Sequence, residues 1–319
     1  MKRKSLIKLF VSLFGISVIF FAGCKNSPVA PSSSTPTSDQ QAMTQVIAND
    51  SSLNSFDANY NEGQAMSYMG KTNAAIYPLK VGQQVHLVNR NIDFTTVGDS
   101  TYAKVTNTYE GVLYILATYT SGQDTADTLI QKPFTSVITR NVILVKVRTM
   151  NTPSDTLHSW RIAAVSLASG GVLSPNINIE KVTLYFPDGD TLMVSDPSSY
   201  FIDTFWGWRR SWCRRLPIIS QAKPIKVDVE LYSAYIDSDF VTLTYGGNLH
   251  GLHRAKKKFI LISSTPSGNG YDKVYEQTFE SYQWPGFYHA VINAFPHQVI
   301  YDDSASVETS TWGIPYFVM

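Results

Sequence analysis

Lys226-Val-Asp-Val-Glu-Leu-Tyr-Ser-Ala-Tyr235 alternates between apolar and polar side chains: Val227, Val229, Leu231 and Tyr235 fall on one side, Lys226, Asp228, Glu230 and Tyr232 on the other. An extended chain points successive side chains to opposite faces, so this stretch predicts a strand with one buried and one wet face. Upstream, Val182-Thr-Leu-Tyr-Phe186 alternates likewise, meets Pro187-Asp188-Gly189-Asp190 and resumes as Thr191-Leu-Met-Val194, which predicts a hairpin through its Asp-Gly turn. The same period of two recurs at 84–89, 103–109, 112–120, 142–148, 158–165, 240–245, 258–263, 274–280, 289–294, 298–301 and 307–312. No long helical period separates these runs. The chain therefore reads as mainly β and antiparallel, and a parallel α/β fold is excluded.

Alternation lapses at 201–223, and this Trp/Arg-rich connector is expected to divide two antiparallel β-sandwich domains, 75–200 and 224–319. The second has the size of an immunoglobulin-like sandwich without its Cys-Trp-Cys hallmark, so the label is architectural. Residues 39–74 are expected to form a short helical or irregular segment. There Asp39 caps QQAMTQVIA, with Met43, Val46 and Ile47 on one stripe, and Asn61 caps EGQAMSYM.

Of the 319 residues 44% are hydrophobic and 16% charged, a globular composition that excludes a disordered chain or a collagen-like rod. The 26 Lys+Arg nearly balance 25 Asp+Glu. Four of the bases (Lys2, Arg3, Lys4, Lys8) lie in the first 23 positions without an acid, so the remainder has 22 bases against 25 acids and a charge of −3. That balance argues against a generic polyanion binder and against nucleic acid as a partner.

The first 23 residues read as a signal peptide: a basic start, then an apolar run of 14 residues from Leu9 to Ala22, where a spanning helix needs about 20. Phe21-Ala22-Gly23-Cys24 resembles a bacterial lipobox, although Phe21 stands where Leu or Val is usual. The resemblance implies that Cys24 receives a diacylglyceryl group and becomes the mature N-terminus, an anchor stabilised by about 0.8 kcal/mol per buried methylene. The competing reading is a secreted protein cut by another peptidase, with Cys24 incidental. Residues 24–38, rich in Ser, Pro and Thr, are expected to be a flexible linker. By analogy with enteric bacteria, Lys25 in place of Asp after the lipidated cysteine implies the outer membrane. With Cys24 lipidated, Cys213 has no partner for an internal disulfide. Tyr77-Pro78-Leu79-Lys80-Val81-Gly82, following a lipobox and spacer, resembles the opening of uncharacterised β-rich lipoproteins of the Bacteroidetes and their relatives. That family implies a location and a β fold but no activity.

The densest candidate surface is Trp206-Gly-Trp208-Arg209-Arg210-Ser-Trp212-Cys213-Arg214-Arg215. Guanidinium groups bind phosphates bidentately and stack on indoles, and Trp favours membrane interfaces. Trp206, Trp208, Arg209, Arg210, Trp212, Arg214 and Arg215 are therefore candidates for binding envelope lipid, another polyanion or a protein. The alternative is that the Trp side chains pack between domains while the Arg pair with acids. His250 and His253 lie beside Arg254 and Lys256–Lys258, but without a third ligand they read as a basic hairpin and no metal is expected. In Asp57-Ala-Asn59-Tyr-Asn61-Glu62-Gly63 the calcium-loop register fails. Asp237, Asp239, Asp302 and Asp303 read as turn residues. No G-x-S-x-G motif is present, no catalytic residue is assigned and no cofactor is expected. The expectation is a non-enzymatic, membrane-anchored envelope lipoprotein that meets an envelope protein or polysaccharide. One alternative is a carbohydrate-binding protein using Trp284, Tyr288 and Trp312; another is a secreted hydrolase with a site built from loops.

Overall fold

A computed structural model describes residues 38–50, 59–61, 67–68, 76–147, 160–203, 216–247 and 254–319. The alternating stretch near 226 is strand β12 (Pro224–Ser233). Its Ile225, Val227, Val229 and Leu231 are at most 2% exposed, and each such side chain contributes about 1.5–3 kcal/mol on burial. The wet face carries ion pairs between neighbouring strands, Lys226 with Glu276 at 2.7 Å and Lys181 with Glu230 at 2.5 Å. β12 is the middle strand of a five-stranded antiparallel sheet in the order β15 (Ile260–Ser267), β16 (Gly270–Glu280), β12, β8 (Ile177–Tyr185), β9 (Thr191–Val194). The β8–β9 hairpin forms where expected, with Gly189 at φ +92° in its turn.

The larger sheet follows the path β3 (Tyr77–Val97), β4 (Ser100–Thr118), β5 (Thr128–Lys146), β7 (Ala168–Val172), β18 (Thr309–Val318), β17 (Gly286–Phe295), β13 (Phe240–Gly247), β14 (Ala255–Lys258). Short strands flank it: β1 (Asn59–Asn61) and β2 (Ser67–Tyr68) on β3, β6 (Trp160–Ser166) on β5, and β10 (Phe201–Asp203) on β6. Only β11 (Ile218–Ile219), beside the end of β18, pairs in parallel among the described strands. The protein is mainly β, with two sheets packed as a sandwich.

The expected division into two sandwiches at 201–223 is corrected by the pairing. β12, after the connector, pairs with β8 before it, and β18 pairs with β7. Both sheets thus draw strands from both halves, and Pro31–Met319 is one compact unit. Alternation reports which face of a strand is buried but not which strand lies beside it.

Three long strands, β3, β4 and β5, of 21, 19 and 19 residues, form a meander about 60 Å long. Odd-numbered residues from Thr101 to Ala117 of β4 and even-numbered ones from Ile130 to Leu144 of β5 face inward. β3 keeps its inner row through a bulge. Leu87 pairs with Tyr109 and Asn89 with Thr108, so Val88 is the extra residue and the row passes from Val85 and Leu87 to Arg90 and Ile92. The runs expected separately at 103–109 and 112–120 are one strand, because Gly111 lies in register with Phe134 and that ring covers it. A Cβ on Gly111 would stand 2.6 Å from Phe134 Cζ.

The two ends of the meander enter different cores. Ala103, Val105, Val142 and Leu144 join Val227, Val229, Ile292 and Ile314 between the sheets, together with Ala42, Met43 and Ile47 of helix α1 (Asp39–Asn49). At the other end Val81, Leu113 and Ile115 meet Phe240, Phe295 and, from helix α2 (His297–Tyr301), Val299 and Ile300. The N-cap of α1 is Ser38, whose Oγ accepts from Gln41 N at 3.2 Å, and not the expected Asp39. Where a second helix was expected, Ser67 and Tyr68 pair as β2 with Val81 and Lys80; 62–66 and 69 lie outside the described residues.

β7 is the seam between the meander and the rest of the sheet, pairing with β5 on one side and β18 on the other. Gly170 (φ +154°) and Gly171 (φ +129°) sit in it, and a Cβ would lie 1.9 Å from the Val137 carbonyl oxygen at the first and 2.1 Å from that of Thr309 at the second. Strain and overpacking act together there. Gly170→Ala and Gly171→Ala are expected to lose about 3 kcal/mol or more in urea unfolding. Gly189→Ala, with nothing within 4 Å of its Cβ, is expected to lose only about 1–2 kcal/mol.

Candidate functional site

β5 places two cations, Lys132 and Arg140, on its inward row, where each must find partners or pay for its desolvation. Arg140 meets the carboxylate of Asp50 just after α1: Nη1 and Oδ2 are 3.0 Å apart, and the side chains are 4% and 8% exposed. Arg140 Nε is buried without a partner. On β3, Arg90 donates from Nε to Asn107 Oδ1 at 2.9 Å, and Asn107 Nδ2 reaches Tyr109 Oη at 3.3 Å. Burial lowers the Arg90 pKa below its ordinary value, and burial raises that of Tyr109. Lys132 gives its three N–H groups to the carbonyls of Val299 (2.8 Å), Asp302 and Ala305 (2.8 Å), closing the chain after α2; burial lowers its pKa.

Between these charges the meander folds over β17 and β18, and Tyr109, Ser136, Asn293, Thr309 and Thr311 line a cavity of about 30 Å³. Thr311 donates to Asn293 Oδ1 at 2.9 Å, and Asn293 Nδ2 is buried without a partner. The space suits a water molecule and is too small for an organic substrate. This inner band is a clamp: it fixes α1 and α2 to the meander.

The outward face of the meander runs along three strands of 21, 19 and 19 residues. It presents Asn91, Thr106, Thr108, Thr135 and Thr139 with few charges, and Tyr102 is 51% exposed. His86 and Glu110 face each other across β3 and β4 at 3.6 Å, both more than half exposed, and Tyr114 Oη reaches Gln84 Oε1 at 3.5 Å.

Cys24 and all of Trp206, Trp208, Arg209, Arg210, Trp212, Arg214 and Arg215 lie outside the described residues, as do His250 and His253. The three rings considered as a sugar platform do not come together. Tyr288 and Trp312 are 5% and 4% exposed in the core, with Tyr288 stacked on Tyr316, and only Trp284 stands out at 62%. Asp239, read as a turn residue, is instead fully buried against Lys273 at 2.9 Å. Asp302 and Asp303 do act in turns and contacts: Asp302 accepts from Ser304 N at 2.8 Å and Asp303 from Tyr119 Oη at 2.7 Å. Among the described residues no three His, Cys, Asp or Glu side chains are grouped to hold a metal ion, and no helix is long and apolar enough to cross a membrane.

The inward cations were within reach of sequence reasoning, since Lys132 and Arg140 share the even parity of Ile130, Ile138, Val142 and Leu144. α1 provides a direct check, because it is tied down twice. Arg140→Ala, which leaves Asp50 buried, is expected to cost about 3–5 kcal/mol in chemical denaturation. Lys146→Ala, which removes the half-exposed pair with Asp39 at 2.9 Å, is expected to cost less than about 1 kcal/mol. No protein-family model matches the chain, and no curated protein matches it either.

Proposed function

We propose that the protein is a lipid-anchored component of a bacterial cell envelope that serves as a non-enzymatic interaction or assembly module. The observation that carries this reading is the order of the N-terminal sequence: basic start, 14-residue apolar run, Phe21-Ala22-Gly23-Cys24, and a Ser/Pro/Thr-rich stretch ending at α1. Cys24 carries the lipid, and the mature chain hangs from the outer membrane.

Two parts of the chain are assigned to partners. One is the outward face of the meander, whose Thr, Asn and Tyr side chains offer hydrogen bonds and flat contact over a long sheet. The other is the Trp206–Arg215 segment, whose four Arg each contribute about 1 kcal/mol beside an anionic surface. The first meets an envelope protein or polysaccharide, the second the anionic lipid of the envelope.

Labelled fatty acid is expected to enter the protein in bacterial cells and to be lost on Cys24→Ser. Absence of label, or equal label in the variant, removes the anchor and the location with it. Replacing Arg209, Arg210, Arg214 and Arg215 together by Ala is expected to weaken binding to phosphatidylglycerol vesicles at least tenfold while leaving the unfolding midpoint unchanged.

A further inference from the structure

Asp239 and Lys273 hold the most deeply buried ion pair among the described residues: both side chains are 0% exposed and Oδ2 lies 2.9 Å from Nζ. Asp239 directly precedes β13 of the larger sheet and Lys273 lies on β16 of the smaller, so the pair spans the sandwich. Every polar atom around it is oriented. Lys273 Nζ also donates to the Asp237 carbonyl. Ser233 Oγ donates to Asp239 Oδ1 at 2.9 Å. Tyr275 Oη accepts from the Asp239 backbone N–H at 2.8 Å and donates to Oδ2 at 3.2 Å. Ser233 and Tyr275 are themselves 0% exposed.

Two opposite charges without access to water are a costly arrangement, and an amine held against a carboxyl is also the reactant pair of an amide. We propose that Lys273 and Asp239 condense spontaneously into an isopeptide bond that staples the two sheets. The ammonium gives up two protons and Nζ attacks the Asp239 carboxyl carbon. A C–N bond forms, the bond from that carbon to Oδ2 breaks, and Oδ2 leaves with both protons as water. No oxidant or cofactor enters the balance. Tyr275 relays a proton to the departing Oδ2, and Ser233 holds Oδ1, which becomes the amide oxygen. Burial raises the Asp239 pKa, favouring the protonated acid that such an attack requires. Nζ is held 2.9 Å from Oδ2 of the carboxyl it attacks, oriented intramolecular reactants gain effective molarities of about 10⁵–10⁸ M, and a dry core gives water little access to reverse the step. The product is neutral and removes both buried charges.

The test is peptide mapping of the full-length protein. Trypsin does not cut after an acylated lysine, and no Lys or Arg follows Lys273. The staple is therefore expected to yield a branched species joining 227–254 to 259–319, lighter by one water than the sum of the two peptides, with 259–273 missing. Lys273→Arg, which keeps the charge and cannot form the bond, is expected to restore cleavage after 273 and the linear 227–254 peptide. Tyr275→Phe is expected to accumulate the unlinked form. Full recovery of linear 259–273 and 227–254 from the wild-type protein overturns the proposal, and a branched species undiminished in Tyr275→Phe overturns the relay.

Discussion

Between the carbonyl oxygens of Val137 and Thr309 there is no space for a side chain, and the joining of meander to sandwich passes through that gap. β7 fits there because two successive residues, Gly170 and Gly171, lack a Cβ on the crowded sides. A wider seam would separate β5 from β18. The meander would then lose its ladder to the rest of the larger sheet, and the inner row of β4 and β5 would lose Asn293, Thr309 and Thr311 as neighbours. The continuity of that sheet is thus a steric condition before it is an energetic one.

The buried cations mark the other junctions. Arg140 ties α1 to the meander through Asp50, Lys132 ties the chain after α2 to β5 through three carbonyls, and Lys273 ties the two sheets through Asp239. Apolar contact is non-directional and tolerates small rearrangements. A buried ammonium or guanidinium tolerates few, because a shifted partner leaves a charge unpaired. In this fold the apolar rows provide cohesion and the cations fix which element lies against which. α1 follows the stretch that carries the proposed tether, so among the described residues its two ion pairs are the first attachment on that side of the chain.

The local architecture was legible in the residues. The alternation of 226–233, the Asp-Gly hairpin after β8 and the apolar stripe of α1 all appear where their periods place them. Strand pairing was not legible, because a period of two specifies a face and leaves the neighbour open; hence the apparent boundary at 201–223. The long strand β5 was obscured by Pro133 and by Lys132 and Arg140 on its buried side. Pro133 is tolerated because the described ladders of β7 and β6 reach only Val137 to Lys146 of that edge. Trp312 and Tyr288 looked like surface rings because aromatic residues near strand ends occur in both settings, and what decides between them is that their face of β17 and β18, shared with Ile292, Ile314 and Tyr316, packs into the core between the two sheets.

The central claim is that neither half of the chain is a domain, because each contributes strands to both sheets. Residues 224–319 produced alone test it most directly by two-dimensional amide NMR. Without β8 beside β12 and β7 beside β18, the account predicts a collapsed, undispersed spectrum with no cooperative melting. A dispersed spectrum and a sharp thermal transition from that fragment would show a self-sufficient sandwich and contradict it.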